Sequence, residues 1–158
     1  MSIQLHVRVL TLLEQNELAM AELYRQCATH VVEHAGFWND LVTEEQTHAL
    51  MFQVMRSLVE EGDIDLSHRE SWENVAAMAE AVKREIDAIK GQTLSALEAL
   101  RFADAMEQNF TESRAFLVYP NDPPELVRLL SSVANDSRRH ADRIRELALR
   151  IEEESAIG

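Results

Sequence analysis

Glu45 and His48 stand three residues apart, so on a helix a carboxylate and an imidazole project in the same direction, as ligands to one metal ion would. Near the far end of the chain His140 is preceded at the same interval by Ser137 and, one residue earlier, by Asp136. A lone glutamate lies upstream of each pair. Glu17 is 28 residues before Glu45 and 31 before His48, and Glu107 is 30 before Ser137 and 33 before His140. Aligned on their histidines, "LVTEEQTHAL" and "VANDSRRHAD" share a polar residue ahead of a His-Ala pair. Two such halves, each with a glutamate and a polar-x-x-His turn, describe a two-metal carboxylate cage. Its hard oxygen donors favour iron or manganese, and the imidazoles complete each ion's coordination.

Helices must carry these residues. Leu10, Leu13, Glu17, Met20, Tyr24, Cys27 and Val31 step by three and four along one face, as do Trp38, Leu41, Glu45, His48, Phe52, Met55 and Val59. Gly36 is expected to stop the first helix. "SHRE" at 67–70 and "SALE" at 95–98 have the form of capping boxes, opening a connecting helix with Trp72, Val75, Ala79, Val82, Ile86 and Ile89, and a fourth run with Leu100, Ala103, Glu107 and Phe110. In "NDPPE", Asp122 reads as an N-cap followed by early-turn prolines and Glu125. The last helix then carries Leu126, Leu130, Val133, Ser137, His140, Ile144, Leu147 and Ile151 on its seam. The expected helices span about 3–34, 37–60, 68–90, 94–117 and 124–153. The fold class is all-α, an antiparallel four-helix bundle with an additional connecting helix in a single domain, 1–158. A buried carboxylate without a partner costs several kcal/mol, so polar residues in the seams of four helices call for a shared cause.

Composition narrows the function. Gly (4) and Pro (3) are scarce in the 158 residues, which fits long helices. The 28 acidic against 15 basic residues leave a net charge of -13, which disfavours nucleic acid and anionic membranes as partners. Cys27 is the single cysteine, so neither an internal disulfide nor a Cys-x-x-Cys knuckle can form. No basic-then-apolar leader opens the chain and no apolar run approaches the ~18 residues of a membrane span, so a cytoplasmic location is expected. His30 and His34 are four apart near a helix end without an evident third ligand, and His6 and His68 belong to no constellation.

"NELAMAELYRQCA" around Glu17 and Tyr24, "FWNDLVTEEQTHA", "ADAMEQNF" around Glu107 and "RRHA" around His140 occur in order over nearly the whole chain. In these the sequence resembles the rubrerythrin-like members of the ferritin-like, di-iron carboxylate superfamily. The resemblance implies that Glu17 and Glu107 are terminal carboxylate ligands, that Glu45 bridges two irons, and that His48 and His140 bind one iron each. It also implies a second bridging carboxylate at position 137, where this chain has serine. The cofactor it implies is iron, one or two ions, with manganese or zinc as other candidates and neither haem nor nucleotide. The activity implied is oxidation of ferrous iron or reduction of peroxide, with an external electron donor and a homodimeric assembly.

Two departures weigh on that activity. Ser137 removes one of four negative charges from the cage, and either Asp136 enters it from four residues before His140 or a water or small anion held by Ser137 fills the position. Tyr24 follows Glu17 by seven residues, whereas Arg114 follows Glu107 by seven; the arginine either snorkels to solvent or pairs with a seam carboxylate. The other reading is therefore a degenerate ferritin-like bundle without catalysis, an iron-binding or structural, partner-binding protein. Its retained glutamates and histidines would then hydrogen-bond one another.

Overall fold

The structure is a computed structural model that describes residues 3–69, 72–112 and 116–158. It is all-helical, with no strand among the described residues. The helices are α1 (Ile3–His30), α2 (Ala35–Glu61), α3 (Trp72–Ile89), α4 (Ala96–Glu112) and α5 (Pro124–Ile157), with a 3₁₀ turn at Val32–His34. Among the described residues, no helix is long and apolar enough to cross a membrane.

Contacts between α1 and α2 run in opposite chain order. Arg56 donates to Glu14, His48 approaches Glu17, and Trp38 stacks on Tyr24. The four-residue link between these helices leaves them no other course. The same reversal joins α4 to α5, through Asp104 with Arg145 and Arg101 with Glu152, and α2 to α5, through Asp40 with Arg143 and His48 with Asp136. α3 packs on α1 and also touches α4. It runs parallel to α1, with Trp72 against His6 at its start and Ala79 accepting from the buried Asn16 side chain further along. The apolar core is continuous and draws on all five helices, with Tyr24, Trp38, Val75, Leu100 and Leu126 among its members.

Helix ends differ from expectation in instructive ways. Gly36 lies inside the first turn of α2 and does not stop α1; the break falls at Val31, whose φ of -113° and ψ of 69° leave the helical region. Gly62 is where glycine chemistry operates. At φ 82° it takes the left-handed conformation and its N–H reaches Val59 O, while the Asp63 N–H reaches Leu58 O, a Schellman ending for α2. The box at 95–98 forms as expected, with the Ser95 N–H donating to Glu98 and the Glu98 N–H to Ser95 Oγ. In the other expected box, Glu70 lies outside the described residues, and Ser67 bonds Asp65 with both its N–H and its hydroxyl. The described part of α3 begins at Trp72.

Asp122 also departs from its expected role. The N-cap position belongs to Pro123, and no side chain caps that end of α5. The Asp122 carboxylate is instead wholly buried, accepting from Arg69 Nη1, from the Tyr119 N–H and from His68 Nε2, each at 2.8 Å. Arg69, itself buried, also donates to Leu117 O and lies between the rings of Tyr119 and Trp72. Burial alone would raise the carboxyl of Asp122, but these donors outweigh it and hold it below the usual range. The pair ties the α2–α3 connection to the α4–α5 loop. Asp122→Ala would strand the buried guanidinium and is expected to cost about 3–5 kcal/mol, read in urea as a lower midpoint with an unchanged slope.

Candidate metal centre

Each seam delivers its polar residue to one region of the interior. Glu17 from α1, Glu45 and His48 from α2, Glu107 from α4, and Ser137 and His140 from α5 are all 4% exposed or less. The three-residue step between Glu45 and His48 brings both to the inner face of α2, so His48 Nδ1 lies 3.4 Å from Glu45 Oε2 and 3.7 Å from Glu17 Oε2. His140 Nδ1 lies 3.0 Å from Glu45 Oε1 and 3.4 Å from Glu107 Oε1. Glu45 thus offers one oxygen to each histidine. The two rings stack with centroids 5.3 Å apart.

These contacts are close without being hydrogen bonds. Neither His48 Nδ1, His140 Nδ1 nor Glu45 Oε1 has a partner in hydrogen-bond geometry, although each is buried. Donor atoms of Glu45, His48 and His140 lie within 4.8 Å of one another, a span one ion can bridge at bond lengths of about 2.0–2.3 Å after small side-chain shifts. The residues present therefore fit a divalent metal: two imidazole nitrogens and carboxylate oxygens, buried, converging, and unsatisfied by each other.

The outer edges of the imidazoles are met by other carboxylates. His48 Nε2 lies 3.3 Å from Asp136 Oδ2, and His140 Nε2 contacts Glu44 Oε2. Asp136 therefore stands on the side of His48 away from Glu17 and Glu45, not among the inward-facing atoms. The two contacts cross: the residue four before each histidine serves the histidine of the other helix. Each carboxylate has an arginine of its own, with Arg143 on Glu44 at 2.9 and 3.2 Å and Arg139 on Asp136. Glu44 was invisible to stripe reading because it lies off the buried face of α2. The two-fold layout of the sequence held the signal, since Glu44 precedes His48 as Asp136 precedes His140.

Tyr24 is fully buried and stacks on Trp38, and its hydroxyl has no hydrogen-bond partner. Burial, with the charges of Glu107, Glu45 and Glu17, pushes the phenol well above its usual value, so it stays protonated beside the cage. Ser137 faces inward, one turn before His140. Arg114 lies outside the described residues.

Burial and mutual proximity divide the charges. Glu17 is raised well above the usual carboxyl range by burial and by Glu45, and Glu107 is pushed up to about 7 by the same causes. Burial also opposes ionisation of Glu45, but the close approach of Glu17 and of the His140 and His48 rings outweighs it and holds this carboxyl low. Burial would likewise lower both histidines; instead the surrounding carboxylates raise His48 to about 11 and His140 to about 10. Without metal the cage is a cluster of imidazolium and carboxylate in which Glu45 holds the central negative charge.

Comparison with protein families, curated proteins and solved structures gives no match, so the reading of this centre rests on its own geometry.

The raised histidines make the metal-free protein sensitive to alkali. Their contribution to stability is complete below the unfolded value of about 6.5 and is lost as pH rises toward about 10 and 11. Glu107 acts in the same direction at lower pH, retaining its proton up to about 7. The unfolding free energy measured in urea with chelator present should therefore fall from neutral pH to pH ~10, and His48→Gln should flatten that fall.

Proposed function

We propose that α1, α2, α4 and α5 form a ferritin-like four-helix bundle with α3 as its connecting helix, and that the chain binds metal, iron above all, at a modified di-iron carboxylate centre. The observation that carries this reading is the position of Glu45, whose two oxygens face the inner nitrogens of His48 and His140 separately. A carboxylate so placed can bridge two ions. Glu17, close to His48, would then hold one ion, and Glu107, close to His140, the other. Asp136 meets His48 Nε2 in hydrogen-bond contact and so favours the ring orientation that turns Nδ1 inward, while Glu44 stands in front of His140 Nε2 without such a bond.

Bound iron would supply a one-electron redox change at each ion, suited to ferrous oxidation or peroxide reduction. The chain's own groups do the rest. The apolar core around Tyr24, Trp38 and Phe52 excludes bulk water, and the buried phenol of Tyr24 has a hydroxyl free to donate beside Glu107, Glu45 and Glu17. Ser137 contributes no charge, so the described inward-facing groups are three carboxylates against two imidazoles, and position 137 would supply no second bridging carboxylate. Loading must displace the protons that the histidines and Glu107 hold at neutral pH, so metal binding is expected to tighten as pH rises. With a single cysteine, these 158 residues hold no Cys-x-x-Cys iron site of their own to deliver electrons.

Charge balance favours a second reading. Among the described inward-facing groups, three carboxylates and two imidazolium groups need only one further proton to reach neutrality, so the cluster can serve as a buried ion-pair core without metal in a non-catalytic bundle. Metal analysis separates the two. Chain purified without chelator, or loaded anaerobically with ferrous iron, should hold one or two irons and show peroxide-dependent oxidation; a chain that takes up none would leave the ion-pair core. Ser137→Glu restores a fourth carboxylate and should tighten binding of the second ion, measured by calorimetric titration of the apoprotein. An unchanged second affinity would count against a cage in which position 137 faces both ions.

A further inference from the structure

The inward-facing ligands are 4% exposed or less, so an ion cannot reach them without part of the wall moving. The wall differs from side to side. Over α1 it is thick, because α3 lies across that helix and Asn16, wholly buried beside Glu17, is bonded to the Ala79 carbonyl. At the α2/α5 seam it is one imidazole ring deep. His48 and His140 present Nδ1 to the cage and Nε2 to carboxylates whose side chains are 21% exposed at Asp136 and 31% at Glu44. His140 Nε2, fully buried, contacts Glu44 without hydrogen-bond geometry, so that nitrogen is not satisfied by the carboxylate in front of it.

We propose that the α2/α5 seam is the passage by which a divalent cation reaches the cage, with Glu44 and Asp136 capturing the ion at the surface and the His48 and His140 rings acting as the gate. This rests on the metal-binding reading above. A hydrated cation must shed water before it enters an apolar interior, and an anionic oxygen at each ring edge replaces part of that shell at the threshold. An imidazole has a donor atom on each edge, so rotation about its Cβ–Cγ bond can pass an ion from the outer carboxylate to the inner one. Arg143 is the latch. It neutralises Glu44, rests over the ring of Phe37, and lies within 3.7 Å of Asp40, so cation capture requires it to swing away. Arg139, two-thirds exposed, pairs with Asp136 from the solvent side. The net charge of -13 draws cations toward the surface from all directions, and the seam is where that attraction meets a route inward.

The test is stopped-flow uptake of Co²⁺ by the full, chelator-treated chain, read by visible absorption, with release followed in an EDTA chase. A gate acts equally on both directions of transit. The Glu44→Gln, Asp136→Asn double variant should therefore lower the association rate constant by about tenfold or more and the dissociation rate constant by a similar factor, whereas Arg143→Ala should raise both. An association rate unchanged in the double variant, or a dissociation rate that rises alone, would overturn the proposal and leave the two carboxylates as orienting partners of the histidines. No Co²⁺ uptake by the wild-type chain would remove the cage reading itself, an outcome distinct from wild-type uptake that the seam variants do not slow.

Discussion

Five ionisable side chains from four helices are buried against one another, and that burial is the constraint to which the rest of the structure answers. A lone carboxylate in an apolar interior would be intolerable, and so would a lone imidazolium. Brought together around Glu45 they become mutually acceptable, because each imidazole lies close to two carboxylates and Glu45 lies close to both imidazoles. The arrangement holds only while α1, α2, α4 and α5 keep their relative heights to within an ångström or two. The polar cluster therefore sets the register of the helices, and the apolar stripes above and below it supply the attraction.

Distant features can be understood as serving that register. The Schellman ending at Gly62 stops α2 and releases the chain toward α3, which then covers α1 and fastens through Asn16 next to Glu17. Arg69 and Asp122 join two connections at one end of the fold, fixing where α3 departs and where α5 begins. Asp136 works at shorter range, meeting His48 Nε2 while Nδ1 of that ring turns inward. Because Glu44 and Asp136 each reach across to the other helix, they also tie α2 to α5 at the height of the cage.

Ser137 alters the centre without disturbing the fold. It is buried one turn before His140, and its small, neutral side chain adds no charge to the cluster. That neutrality makes the metal-free state easier to hold. A carboxylate introduced at this position would add negative charge and so move metal affinity and apoprotein stability in opposite directions.

Helical class and the inward orientation of Glu17, Glu45, His48, Glu107, Ser137 and His140 were determined by the sequence alone, because a 3.6-residue period assigns every residue to a face before any helix meets another. Chain ends and crossings were beyond that periodicity. Val31 in place of Gly36 as the break, and Asp122 as a buried acceptor in place of a cap, follow from contacts between segments more than twenty residues apart or from backbone angles that residue type does not dictate. Only the tertiary structure decided that Asp136 stands behind His48, that Glu44 stands behind His140, and that each oxygen of Glu45 faces a different histidine. A helix period says which way a side chain points; what it meets there depends on the height and rotation of a second helix, and those are set by packing.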